Sequence, residues 1–224
     1  MPFNYNEADV IEKNMLDDAF RIWGLVIYRC TYKSDSDWEE FMRRLLYHVR
    51  ETLYCNDGLD MLDSFVPTVV DDKRRFDGVP ASIVRDYFKR WARTACETEQ
   101  GVPFARAQSA YTARYKSCIM VDEEALQSVL DIPPEKVDGP SSTGFVILVN
   151  GMWKPEFLSE EELEGYNSPP PENNFEPVQG CTLEDVGWMK VPYDRAQINT
   201  SAFMRDSPAW NAAYRRPPEI PFCF

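Results

Sequence analysis

At 224 residues, 44% hydrophobic and 13% aromatic, the chain carries enough apolar side chain to offset its conformational entropy with a buried core, which excludes disorder throughout. Its 24 Lys and Arg against 37 Asp and Glu leave a net charge of −13, a field that repels phosphate backbones and anionic lipid and argues against nucleic-acid and membrane partners. Met1-Pro2-Phe3-Asn4-Tyr5-Asn6-Glu7 has neither a basic stretch nor an apolar one, and no apolar run reaches membrane-spanning length, so the expected location is the cytoplasm or nucleus.

Along the chain, Ile22 to Tyr28 is a near-continuous apolar run and predicts a strand covered on both faces. Ser36 then pairs with Glu39 in a capping-box pattern, and Trp38, Phe41, Met42, Leu45, Leu46, Val49 and Leu53 recur at helical spacing. Phe65 to Val70 reads as a second strand, with Pro67 pointing to an edge or a bulge. After the Asp77-Gly78 turn, Pro80 opens a helix whose apolar stripe is Ile83, Val84, Tyr87, Phe88, Trp91, Ala92 and Ala95. Tyr115 to Val121 and Phe145 to Val149 are two more strands, the first followed by a short helix from Glu123 to Leu130.

Two long helices among four strands, with no Gly-rich turn after the first strand, predict an α+β fold: a ferredoxin-like split βαβ sheet with helices on one face. Residues 1–150 form that core. Residues 151–190 hold nine acids against two lysines and include Pro169-Pro170-Pro171, so 151–224 reads as an extension. Trp188, Tyr193, Phe203, Trp210, Tyr214, Phe222 and Phe224 predict that it wraps back onto the core, with a further strand over Gly187–Val191 and a short helix opened by Ser207-Pro208.

Three blocks, Trp23-Gly24-Leu25-Val26-Ile27-Tyr28, Asp122-Glu123-Glu124-Ala125-Leu126 and Gly187-Trp188-Met189-Lys190-Val191, resemble uncharacterised proteins of filamentous fungi. The resemblance brings no catalytic motif and transfers no functional residue; it implies an intracellular fungal protein.

The six cysteines lie too far apart for a zinc module and read as reduced thiols. The lone histidine, His48, falls at the border of the first long helix's apolar stripe and reads as a structural imidazole. GxSxG, P-loop, GxGxxG and HExxH motifs are all missing, so neither a cofactor nor a metal site is expected. Acids follow three of the predicted strands: Asp35 and Asp37, then Asp71 and Asp72, then Asp122, Glu123 and Glu124. Parallel strands would bring them to one edge, where oxygen ligands suit Mg²⁺, whereas acids in first helical turns are explained by the helix dipole alone.

Opposite the apolar face of the second long helix lie Arg85, Lys89, Arg90 and Arg93, within a span (73–93) of seven bases against two acids. They are the candidate contact for an anion or a protein partner, with the acidic stretch Glu156 to Asp185 as an internal alternative. At the end of the chain, Arg215, Pro218 and Pro221 fit a polyproline pattern, or else serve to lay Phe222 and Phe224 on the domain. The resulting expectation is a non-enzymatic binding or protein-interaction module for an unknown protein or small molecule. The alternatives are a small-molecule enzyme with a pocket between sheet and helices, and a Mg²⁺-dependent phosphate-handling enzyme.

Overall fold

A computed structural model of the protein describes residues 5–137, 139, 143–155 and 175–221. It opens with a helix the apolar spacing did not announce, α1 (Glu7–Asp18), held at its start by a capping box: the Asn6 side chain accepts from the Asp9 N–H and the Asp9 carboxylate accepts from the Asn6 N–H. Strand β1 (Val26–Arg29) follows, then α2 (Asp35–Cys55), a 3₁₀ turn (Leu59–Ser64), β2 (Thr68–Val70), the one-turn α3 (Lys73–Phe76) and α4 (Ala81–Gln100). Next come α5 (Phe104–Ser109), β3 (Ser117–Val121), α6 (Glu123–Leu130) and β4 (Phe145–Asn150). Beyond residue 174 lie β5 (Trp188–Pro192), α7 (Ala196–Phe203) and α8 (Ser207–Ala213). The cap of α2 is Ser34, which accepts from the Asp37 N–H at 3.2 Å, so the helix starts before the expected Ser36 box.

The fold is mixed α/β around one five-stranded sheet of order β2-β1-β3-β4-β5. β1 runs parallel to both β2 and β3; β4 is antiparallel to β3 and to β5. This differs from the expected layering, because helices cover both faces. Neighbouring residues of β1 show why: the Tyr28 ring meets Phe76, which in turn meets Tyr87 of α4, while the next residue, Arg29, points to Trp38 of α2. Side chains alternate across a strand, so α2 and α4 lie on opposite sides of the sheet. The connections require it. From β1 the chain steps one way to β2 through α2 and back the other way to β3 through α4, and right-handed crossovers in opposite directions land on opposite faces. Every residue of β1, β3 and β5 is accordingly buried.

The stripe of α2 supplies Trp38, Phe41, Leu45, Val49 and Leu53 to the interior, roughly 1.5–3 kcal/mol for each large side chain fully buried. A second, smaller cluster joins α1, the end of α2 and α7 through Ile11, Met15, Trp23, Val49, Leu53, Ile198 and Ala202. α7 is tied there by Asn14 donating to the Ala202 carbonyl and by the Leu25 N–H donating to Gln197 Oε1 at 2.8 Å. The segment from 188 onward is therefore built into the sheet and its covering layer, with β5 zipped to β4 over Phe145–Val149. Among the described residues no helix is long and apolar enough to cross a membrane. Cys30, Cys55, Cys96, Cys118 and Cys181 are free thiols; Cys223, Phe222 and Phe224 lie outside the described residues, as does 156–174 of the acidic stretch.

Candidate functional site at the carboxyl edge of the parallel strands

Three parallel strands end at one edge, and the order β2-β1-β3 makes the space above β1 and β3 the point where the crossovers part, the usual ligand crevice of such sheets. Here the chain fills that crevice itself. Phe76 of α3 is buried against Tyr28, and the Gly78 N–H donates to the Cys30 carbonyl at 3.0 Å. What stays open is a neighbouring cleft of 530 Å³ lined by Arg29, Tyr32, Asp35, Trp38, Glu39, Asp71 and Lys73.

Arg29 organises this cleft. Its guanidinium donates to Asp35 at 2.5 Å, to Asp71 at 3.3 Å and to the Thr31 carbonyl at 3.0 Å. It lies 4.5 Å from the Tyr32 ring centre and 5.2 Å from that of Trp38. Burial opposes its charge, but Asp35 and Asp71 outweigh burial and its pKa is raised. The buried Tyr32 hydroxyl sits beside Asp71, and burial first, then that carboxylate, push its pKa upward. The two acids keep most of their other oxygens in water, since the Asp35 side chain is 84% exposed and that of Asp71 47%.

The edge thus gathers the acids that the sequence singled out, because β1, β2 and β3 are parallel, but it gives all of them except Asp37, which stands in the first turn of α2, a local partner. Asp35 and Asp71 hold Arg29; Asp72 pairs with Arg75; Glu123 accepts from the Thr31 hydroxyl and pairs with Lys33; Glu124 pairs with Lys190. Asp122 caps α6 through the Ala125 N–H, and its burial raises its pKa. Among the described residues no three His, Cys, Asp or Glu side chains are placed to hold a metal ion. His48 is buried in the core, 2.9 Å from the Tyr193 hydroxyl.

The four cations of α4 are not one solvent face. Arg85 is buried, a correction to the expected helix surface: it donates to the carbonyls of Asn150, Val186 and Gly187 and stacks 4.5 Å from the Trp153 ring. Segments on either side of 156–174 cover that part of the helix, which one-helix periodicity does not register. A β-carbon on Gly187, whose φ is +75°, would collide with both Arg85 and Trp153. Lys89 is half-buried and donates to the Trp153 carbonyl at 3.2 Å. Arg90, beside the Tyr87 ring, and Arg93 are exposed.

Arg29, Tyr32 and Trp38 were not among the expected site residues. A charged residue closing an apolar strand, with acids six and eight positions later, is the signal that could have marked Arg29. Compared with known protein families, curated proteins and solved structures, the chain matches none of them.

Proposed function

We propose that this protein is a non-enzymatic binding module that takes a cationic segment of a partner protein at the carboxyl edge of its parallel strands. The observation carrying this reading is the Arg29 cage: two aromatic rings and two carboxylates already hold one guanidinium, and the outer oxygens of Asp35 and Asp71, with Glu39 beside them, face solvent around an open cleft. A partner Arg or Lys finds the same chemistry one step outward. The overall charge of −13 draws such a partner in from a distance. Because each edge acid is engaged by a cation or a helix start, binding is favoured over acid–base or metal-assisted catalysis.

Calorimetric titration of the full chain with an Arg- and Lys-rich peptide and with a Glu-rich one tests this. The basic peptide should bind, weakening as salt rises, and Asp35→Asn with Asp71→Asn should cost about tenfold in affinity, the worth of one exposed-to-half-buried charge contact. Equal binding of both peptides, or an unchanged double variant, overturns the reading. A second reading rests on Arg90 and Arg93, which are exposed and have no carboxylate partner among the described residues. With Lys89 at their flank they would meet an anionic partner, and retention on heparin lost in Arg90→Gln/Arg93→Gln would favour it.

A further inference from the structure

At the opposite edge of the sheet, a cavity of about 240 Å³ lies between Ser117 at the start of β3 with Lys116 just before it, Asn150 at the end of β4 with Met152 just after it, the α5–β3 connection (Tyr111) and the α7–α8 segment (Met204, Arg205). Lys116 is only 6% exposed, yet no carboxylate pairs with it among the described residues. Its ammonium donates instead to the carbonyls of Ala110 and Arg205, which spends two of its three N–H groups. The nearest acids do not neutralise it. The Asp18 carboxylate is occupied by the Tyr111 and Thr112 N–H groups at 2.8 Å and by the Thr112 hydroxyl, and Asp206 accepts from Arg205 at 3.3 Å. Burial lowers the Lys116 pKa, with Asp18 and Asp206 opposing.

Two further donors face the cavity unspent. Ser117 is buried and its hydroxyl has no hydrogen-bond partner among the described residues. Asn150 Oδ1 accepts from the Met152 and Trp153 N–H groups, which leaves its NH₂ for the cavity. The remaining wall has a soft apolar part, Met152, Met204, Tyr111 and Trp210, and a polar part, Gln108, Ser109, Ser207 and the mutually paired Arg205 and Asp206. A buried ammonium without a counter-charge is costly. One negative charge, delivered on a small apolar body, would complete the site.

We propose that this cavity is a binding site for a small aryl or branched-alkyl monocarboxylate, its carboxylate received by Lys116, Ser117 and Asn150 and its body by Met152, Met204 and Trp210. Drug-sized ligands occupy roughly 300–1,000 Å³, so this site takes something smaller, and a nucleotide does not fit. Arg205 of the wall is paired with Asp206, so Lys116 is the one lining cation without a carboxylate partner among the described residues, which matches a monoanion better than a phosphate dianion. The site is independent of the Arg29 cleft, since Lys116 immediately precedes β3 and the cleft lies beyond the far ends of the parallel strands.

Ligand-observed NMR and thermal melting of the full-length protein, with phenylacetate and isovalerate as probes and phenylacetamide as the uncharged control, test the proposal. The acids should bind and raise Tm at about 10 mM by mass action, and the amide should not. Lys116→Met, which keeps the side chain's length, should weaken binding about tenfold, and Ser117→Ala, which removes one hydroxyl and leaves the lysine's own contacts intact, about threefold. The Asp35→Asn/Asp71→Asn protein should bind phenylacetate as the parent does, so this site and the cleft are judged separately. Amide binding as strong as acid binding, no response to either acid, or unchanged affinity in folded Ser117→Ala overturns the proposal.

Discussion

Two buried arginines mark opposite ends of the parallel strands, and they are held in different ways. Arg114, between α5 and β3 at the amino edge, spends every N–H inside the protein: two on Glu99 at 2.7 and 2.8 Å, two on the carbonyls of Gly24 and Val66, and one on the Thr68 hydroxyl. Its acid is shared with the Tyr115 hydroxyl at 2.7 Å and is 21% exposed. Arg29, at the carboxyl edge, is buried as well, but its acids stand in water. A guanidinium whose partners are enclosed joins pieces of chain; Arg114 ties together the segments preceding β1, β2 and β3. A guanidinium whose partners reach solvent presents them, and that difference makes one edge a keystone and leaves the other open, as the proposed binding function requires.

The comparison breaks first on stability. Arg114→Met strands Glu99 and two strand-end carbonyls in the interior, and removal of one member of a buried ion pair costs about 3–5 kcal/mol. Arg29→Met leaves Asp35 and Asp71 free to rehydrate and keeps an unbranched side chain between Tyr32 and Trp38, so its cost should be about 1–2 kcal/mol. Urea unfolding with a common m-value measures both. Equal losses would mean that the carboxyl edge is as structural as the amino edge.

The next largest effect tests the environment of Arg85, the third buried arginine. Its three carbonyl acceptors and the Trp153 ring leave no room for a side chain at Gly187. Gly187→Ala should cost about 2 kcal/mol through a strained left-handed backbone and the collision itself. Loss of Arg85 packing should appear as greater proteolysis between β4 and β5, a readout the amino-edge variant does not share.

These arginines also show what was legible in the sequence. The stripes of α2 and α4 and the apolar runs of β1, β3 and β4 were readable because their information is local, carried by periods of 3.6 and 2 residues. The capping box of α1, Asn6 with Asp9, was present in the sequence but lacked a strong apolar stripe behind it. Strand order was not readable, since the pairing of β1 with both β2 and β3 depends on contacts 42 and 92 residues apart in the chain. The site was half legible for that reason. Asp35 and Asp71 stood out as acids after strands, but their meeting on Arg29 follows only from parallel β1 and β2. Arg85 was placed on the wrong side of α4 because the segments that bury it come from beyond residue 149. Lys116 was hidden near the start of the largely apolar run Tyr115 to Val121, where a single cation was the available sign.

At the carboxyl edge itself, charge and stability should separate. Asp35→Asn with Asp71→Asn keeps hydrogen-bond acceptors on Arg29 and should change unfolding free energy by less than about 1 kcal/mol while removing the response to a basic peptide. A large loss of stability in this variant would assign the cage to folding rather than recognition.

The smallest effect sharpens the rule with an intermediate case. Arg44 of α2 is buried and donates to the Val129 and Ile132 carbonyls at 2.8 and 2.9 Å, which anchors α2 to the end of α6. Its carboxylate, Glu40, sits a turn earlier and is shared with Arg43. Hydrogen bonds from Arg43 and Arg44 pull the Glu40 pKa down to about 2, below the roughly 4.3 of an unfolded chain. A depressed carboxylate pKa stabilises the fold above the unfolded value, and that contribution fades as pH falls from about 4.3 through about 2. Solvent reaches Glu40, so the contribution should be under about 1 kcal/mol. Glu40→Gln should therefore lower stability slightly at pH 7 and converge on the parent as pH falls to and below about 2, where Glu40 becomes neutral. If the difference persists undiminished at low pH, carboxylate charge is irrelevant there, and the backbone carbonyls hold Arg44 by themselves as they hold Arg85.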